Sequence, residues 1–255
     1  MKNTDKKALV LNSGGVDSTT CVALAIEKYG KENVITASLY YGQKHDKELK
    51  AAQQIADYYG VRHIEEDISN VMKYAGEVCS LVKGSKDDIV DMSYADQINQ
   101  NGEGRVGTYV PFRNGLFLSY ATALALQFGC SYVVYGAHSD DSNVTVKTDS
   151  GEMVKCQAYP DCTSQFIEAM SEAISQGTGG VVKLVAPIYS LTKSEVAQLG
   201  VSLGMSKEDF KHTWSCYEGG SKECGTCGTC RDKIKALRSI NFTDEDLKEM
   251  FEEVL

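Results

Sequence analysis

Two stretches of this chain carry residue types at spacings that could do chemistry. The first is Ser13-Gly14-Gly15-Val16-Asp17-Ser18, followed by Thr19, which lies between the apolar run from Ala8 and a segment of helical spacing. Paired glycines let a backbone turn sharply with its N–H groups inward, and the positive end of the next helix adds to them. Phosphate or pyrophosphate is the natural guest. The loop has neither the Lys of a Walker A motif nor GxGxxG spacing. A plain strand-to-helix turn capped by Asp17 or Ser18 would use the same residues. Asp17 argues for more than a cap, because a carboxylate beside phosphates is repelled unless a cation such as Mg2+ lies between them.

The second stretch holds Cys216, Cys224, Cys227 and Cys230. CxxCxxC brings thiolates to one point, and a fourth sulfur closes a tetrahedral zinc site of structural type. An iron–sulfur cluster is the competitor. The bacterial ferredoxin pattern requires a further Cys followed by Pro after three residues, and Cys230-Arg-Asp-Lys-Ile-Lys supplies neither. Cys21, Cys79, Cys130, Cys156 and Cys162 stand singly and read as small buried hydrophobes of a reducing compartment.

A sheet and its helices must position these groups. Lys7–Asn12 reads as a buried strand, Thr19–Tyr29 as a helix, Asn33–Gly42 as a second strand, Asp46–Tyr59 as a helix and Val61–Ile64 as a third strand. That alternation predicts a parallel sheet with right-handed crossovers. Lys83–Thr108 is polar and glycine-bearing, so a long loop or flap is expected there. Asn114–Gly129 reads as an apolar helix and Ser131–Ala137 as a fourth strand, whose carboxyl end runs into His138-Ser-Asp-Asp. Ligands of open α/β sheets bind beyond such ends. A hairpin insertion around Lys147–Met153, a helix over Thr163–Ser175 and a fifth strand in Val181–Ile188 follow. Thr192 is a predicted N-cap with Glu195 as its capping-box partner. The tail adds a basic helix from Arg231 and a Thr243-capped acidic helix.

The chain of 255 residues suits one large α/β domain or a main domain with an appendage. Its opening residues carry no apolar run and no stretch approaches the roughly 20 apolar residues that span a bilayer, so no membrane partner and a cytoplasmic location are expected. Lys and Arg total 26 against 35 Asp and Glu, a formal charge of -9. This disfavours general nucleic-acid binding.

Ser13–Ser18 resembles the PP-loop of the ATP pyrophosphatases, which cleave ATP between the α and β phosphates and hold pyrophosphate in this turn. Five further stretches, Tyr40–Leu49, Tyr109–Ala121, Tyr159–Met170, Ala186–Val196 and Thr213–Arg231, occur in the order seen in the 7-cyano-7-deazaguanine synthases. The resemblance covers nearly the whole chain. It implies a doubly wound, mostly parallel five-stranded sheet of adenine-nucleotide α-hydrolase type over residues 1–205, with a zinc-binding helical region over 206–255. It also implies an ATP-dependent ligase that converts 7-carboxy-7-deazaguanine and ammonia into the nitrile for queuosine biosynthesis. Adenylated intermediates, AMP- or ADP-type products with pyrophosphate or phosphate, and a cytoplasmic homodimer belong to the same expectation. No glutaminase domain is visible, so ammonia would come from solution or a partner.

Residue by residue, the resemblance assigns ATP to Ser13, Gly14, Gly15, Val16, Asp17, Ser18 and Thr19, with Asp17 as the Mg2+ contact. It assigns catalysis to Asp17, Ser18 and Lys193, substrate binding to Arg113, Asn114, Tyr159 and Asp161, and Zn2+ to Cys216, Cys224, Cys227 and Cys230. Lys193 would stabilise departing pyrophosphate, or else be a solvated first-turn lysine. Arg113 would take a carboxylate or phosphate in its planar fork, or else a structural salt bridge. Asp161 could accept hydrogen bonds from a guanine-type base, or simply belong to a turn. Many members of the family carry Arg where this chain has Thr163, so no contact of that Arg carries over. His45 is a weaker candidate, and His63, His138 and His212 read as structural. The alternatives are a tRNA-modifying PP-loop enzyme, which should be more basic, and a non-catalytic nucleotide-binding regulatory module, against which intact Asp17, Ser18 and Lys193 argue.

Overall fold

In the computed structural model the described residues are 5–73, 79–86, 88–101, 106–142, 144–147 and 152–254. Strands are β1 (Ala8–Leu11), β2 (Val34–Tyr40), β3 (Arg62–Asp67), β4 (Tyr132–Val134), β5 (Val144–Lys147), β6 (Met153–Cys156) and β7 (Lys183–Val185). Helices are α1 (Val16–Tyr29), α2 (Lys47–Tyr59), α3 (Ser69–Met72), α4 (Tyr94–Asn101), α5 (Arg113–Gln127), α6 (Ser139–Ser142), α7 (Ser164–Gly177), α8 (Lys193–Ser202), α9 (Lys207–Lys211), α10 (Gly228–Arg238) and α11 (Asp244–Met250).

Five strands form one parallel sheet in the order β3-β2-β1-β4-β7. The sheet is doubly wound because alternate residues of its strands feed opposite faces. On β1, Leu9 joins Leu118 and Ala121 of α5 and Ile174 of α7, whereas Ala8 and Val10 join Cys21 and Val22 of α1 and Val196 of α8. Burial on both faces is why β1 reads as a continuous apolar run. Strand β3 runs past Ile64 through Glu65, Glu66 and Asp67, because its backbone pairs with β2 up to Tyr40↔Asp67 while Glu65 and Asp67 are exposed and Glu66 accepts from the Tyr120 hydroxyl.

The order in which strands are added reverses between β1 and β4, and both carboxyl ends there open into loops. That is the switch point at which such sheets bind ligands. The hairpin expected around Lys147–Met153 is the antiparallel β5–β6 ribbon; its turn, residues 148–151, lies outside the described residues. The capping box of Thr192 and Glu195 opens α8, and Thr163 caps α7 by accepting the Phe166 N–H.

The polar stretch Lys83–Thr108 departs from the expected loop, since it contains α4. Gln97 and Ile98 are buried and Ile98 joins the core beside Leu118. Tyr94, Gln97 and Ile98 share one helical face, a signal that the surrounding polar residues hide in the sequence. Residues 87 and 102–105 of this stretch lie outside the described residues.

The cysteine-bearing tail packs on the sheet domain without a separate core. Phe210, Ile234, Leu237 and Leu247 share a cluster with Val16, Ala23 and Ala197.

Candidate active site

The cleft at the switch point encloses about 230 Å³, room for a ligand rather than a single water. One wall is the glycine loop. Gly14 has φ +77°, and a Cβ there would sit 2.5 Å from the Glu48 carbonyl oxygen and 2.8 Å from the Ala52 nitrogen. Only glycine fits, for conformational and steric reasons together. The buried Asn12 side chain staples the loop: its Oδ1 accepts from the Gly14 N–H at 3.0 Å and from Ser18 Oγ at 3.2 Å, while its Nδ2 donates to the Ala52 carbonyl at 3.1 Å. Ser18 Oγ also accepts the Ser13 N–H. Thr19 turns away from a ligand role, donating its hydroxyl to the Gly15 carbonyl at 2.8 Å. Gly15 caps α1 without a side chain, so the first N–H groups of that helix face the cleft end of the loop.

Asp17 and Lys193 meet beside this loop, with Lys193 Nζ 2.8 Å from Asp17 Oδ2. Lys193 is buried, which removes the solvated first-turn reading of the sequence. Burial by itself would lower its ammonium pKa; Asp17 and Asp141 reverse that and leave it raised. Burial would raise Asp17, yet Lys193 and then His138 bring it below the ordinary carboxylate value. The Asp17 Oδ1 atom is buried and, among the described residues, has no hydrogen-bond partner. An orphaned carboxylate oxygen beside a phosphate-shaped loop suits a cation carried in with the ligand.

His138, read from sequence as structural, lies in the cleft. Its Nε2 is 3.6 Å from Asp17 Oδ2 and 3.4 Å from Asp141 Oδ2. Asp232 of α10 also lines the cleft, its carboxyl raised by burial and only partly offset by Lys193. The sequence places His138 at the ligand-binding end of the fourth strand while reading it as structural, whereas Asp232 did not stand out and comes into the site only through folding.

Arg113 also lines the cleft. Its Nη1 donates to the Tyr41 hydroxyl at 3.1 Å, the rings of Tyr41 and Phe117 lie 5.4 and 5.9 Å from the guanidinium, and among the described residues it forms no ion pair. The structural salt bridge considered from the sequence is therefore absent there. Its neighbour Phe112 holds φ +55°, unusual for a side-chain-bearing residue, at the start of α5. Glu48 lines the cleft too, and burial pushes its carboxyl up to about 7 despite the opposing pull of Arg113.

Asn114 and Asp161 brace each other. Asp161 Oδ2 accepts the Asn114 N–H at 3.0 Å, and Asn114 Nδ2 donates to the Asp161 carbonyl at 3.3 Å. Asn114 and Tyr159 line the cleft, whereas the buried Asp161 stands behind it as a cap on α5. His45 packs on the cysteine loop through Nε2 to the Tyr217 carbonyl at 3.0 Å, His63 Nδ1 meets the Thr36 hydroxyl at 2.8 Å in the sheet, and His212 is 3.8 Å from Glu208.

The ligand atoms of Cys216, Cys224, Cys227 and Cys230 all lie within 4.8 Å of one another. Among the described residues this is the one such group that could hold a metal ion. A tetrahedral ion with bonds of about 2.3 Å needs sulfur–sulfur edges of about 3.8 Å; Cys224 Sγ is 3.8 Å from Cys230 Sγ. Hydrogen bonds from Cys227 and Cys230 hold the Cys216 thiol far below its ordinary value, and the same bonds push Cys227 and Cys230 up. Backbone N–H groups of Glu218 and Cys224 also point at Cys216 Sγ at 3.3 Å each. The remaining cysteines are free; Cys21, Cys79, Cys130 and Cys162 are buried and Cys156 half-buried.

The four-cysteine lobe touches the glycine loop directly, with the Trp214 N–H donating to the Gly14 carbonyl at 2.8 Å. A fully buried ion pair fixes that segment. Glu223 accepts from Lys233 at 2.5 Å and from the Ser215 N–H at 2.6 Å, and Lys233 donates to the Thr213 carbonyl at 2.8 Å.

Fold and site together define a doubly wound α/β protein with its ligand cleft at the switch point and a four-cysteine centre beside it. The chain belongs to the family described as queuosine biosynthesis protein QueC, whose model matches residues 7–241. It is 37% identical over 238 residues to a 7-cyano-7-deazaguanine synthase of Caldicellulosiruptor saccharolyticus, covering 93% of each chain. With 7-cyano-7-deazaguanine synthase 1 of Colwellia psychrerythraea it shares 34% identity over 239 residues, covering 94% of this chain and 97% of the relative. Among solved structures, an NH3-dependent NAD synthetase from Campylobacter jejuni superposes with a TM-score of 0.45 at 15% identity over 84% of this chain and 72% of that one.

Proposed function

We propose that this chain is an ATP-dependent carbon–nitrogen ligase that converts 7-carboxy-7-deazaguanine and ammonia into 7-cyano-7-deazaguanine. Family membership supports the overall reaction. The observation that carries the mechanism is that one cleft holds both a loop shaped for phosphates and a half-buried Arg113 with no ion pair among the described residues.

A carboxylate resists ammonia because its charge repels nucleophiles and oxide is a poor leaving group. Attack of the substrate carboxylate on the α-phosphorus of ATP forms an acyl adenylate and releases pyrophosphate. Ammonia displaces AMP to give the amide and one proton. The amide oxygen then attacks a second ATP, again releasing pyrophosphate, and loss of AMP and the two amide protons leaves the nitrile. Ser13, Gly14, Gly15, Val16 and Ser18 hold the phosphates through the loop and the start of α1. Thr19 supports the loop from behind. Lys193 stabilises the departing pyrophosphate charge, with Asp17 fixing its position. Arg113 orients the substrate carboxylate, Asn114 and Tyr159 shape its pocket, and Asp161 acts through Asn114.

Asp17 Oδ1 would hold Mg2+, which neutralises phosphate charge when bound. Cys216, Cys224, Cys227 and Cys230 would hold Zn2+, whose closed four-sulfur shell leaves no position for substrate and so supports the fold. A division into residues 1–205 and 206–255, a homodimer and a cytoplasmic location complete the reading. Mass spectrometry after incubation with Mg-ATP, ammonium and 7-carboxy-7-deazaguanine tests it: the nitrile with AMP and pyrophosphate is expected. AMP without the nitrile would point to another substrate, such as a tRNA base, and untouched ATP would favour a regulatory module.

A further inference from the structure

Three tyrosines from separate stretches meet in the cleft: Tyr94 on α4, Tyr159 before Pro160, and Tyr217 beside Cys216. Their hydroxyls form a chain. Thr108 Oγ1 is 2.6 Å from the Tyr159 hydroxyl, which lies 3.5 Å from that of Tyr217, which in turn lies 3.2 Å from that of Tyr94. The rings of Tyr94 and Tyr159 meet edge to face, with centroids 5.7 Å apart at 86°. Gly228, the first residue of α10, makes room for Tyr94, since a Cβ there would sit 2.8 Å from the ring.

We propose that Tyr94 and Tyr217 are specificity-determining residues which, with Tyr159, form the wall that reads the heterocycle of the carboxylate substrate. The inference rests on the functional reading above. A flat aromatic ligand gains from edge and face contacts with such rings. Each phenol can both donate and accept, so the chain can turn toward the ring N–H, the exocyclic amine and the carbonyl of a guanine-type base. Sites built around hydrogen bonds reject analogues that lack the matching group. Gly228 lies between Cys227 and Thr229, so the four-cysteine lobe also places one wall of the substrate subsite.

Calorimetric titration of the zinc-loaded protein with 7-carboxy-7-deazaguanine, and separately with Mg-ATP, tests this. Tyr94→Phe and Tyr217→Phe should each weaken carboxylate binding about three- to tenfold, the loss of one hydrogen bond, and leave ATP binding within about twofold. Gly228→Ala should weaken carboxylate binding in the parent but not in a Tyr94→Ala background, a non-additivity that general misfolding would not produce. Carboxylate binding unchanged in both Phe variants, parallel loss of ATP binding, or additive Gly228 and Tyr94 effects would overturn the inference while the parent still binds. Failure of the parent itself to bind the carboxylate would overturn the functional reading and this inference with it.

Discussion

Lys193 and Asp17, 176 residues apart in the chain, are joined at 2.8 Å at the end of the sheet. The pair is mostly buried, with side-chain exposures of 9% and 18%. A buried pair costs desolvation and is a poor source of stability, whereas breaking it strands a charge. Lys193→Met should therefore destabilise the fold by about 3 kcal/mol in chemical denaturation and cut the rate of pyrophosphate release at least a hundredfold. The double variant Asp17→Asn/Lys193→Met should recover most of the stability and none of the activity. Recovery of activity with stability would assign the pair to the scaffold alone.

Arg113→Lys keeps the charge and loses the planar fork. The KM for the carboxylate should rise tenfold or more, while the KM for ATP stays near its parent value. Steady-state kinetics with each substrate varied in turn checks this.

Glu48 gives a pH prediction. Burial raises its folded-state pKa to about 7 from an ordinary value near 4.5, so the folded state binds the extra proton between those values. Stability from this group is then fully present below about pH 4.5 and is lost as pH rises through 7. Glu48→Gln should gain about 1 to 2 kcal/mol at pH 8 and nothing at pH 4, measured by urea unfolding at both.

Gly14→Ala places a methyl group against the backbone of α2 at a residue with φ +77°. It should destabilise by about 2 kcal/mol or more and abolish ATP binding. Gly15→Ala meets only ordinary contacts at 3.6 Å and beyond, so it should fold near normally, and thermal melts of the two variants separate these cases.

One zinc per chain is expected by elemental analysis. Cys227→Ser should lower that content and expose the shared cluster of Phe210, Ile234 and Leu237, seen as a fall in melting temperature.

The sheet was legible because β1, β2 and β4 are apolar and β-branched, and the helices announce themselves through caps such as Thr192 and Thr243. The glycine loop and the cysteine cluster are local in sequence, so their spacing alone exposed them. Asp232, Glu48, Tyr94 and Tyr217 were not legible as site residues, and His138 was legible only by its place at the end of the fourth strand. Each sits in a different element, and only the fold brings them to one cleft. Asp161 shows the reverse: its motif is local, yet the carboxylate faces the backbone of Asn114.

In the proposed reaction the cleft uses ATP to turn a carboxylate oxygen into a leaving group. Supplying 7-carboxy-7-deazaguanine labelled with 18O in the carboxylate and weighing the AMP by mass spectrometry follows that oxygen itself. 18O in the AMP phosphate and an unlabelled nitrile are expected. Nitrile formation with unlabelled AMP, or no nitrile from a zinc-loaded protein supplied with Mg-ATP and ammonium, would contradict the proposed chemistry.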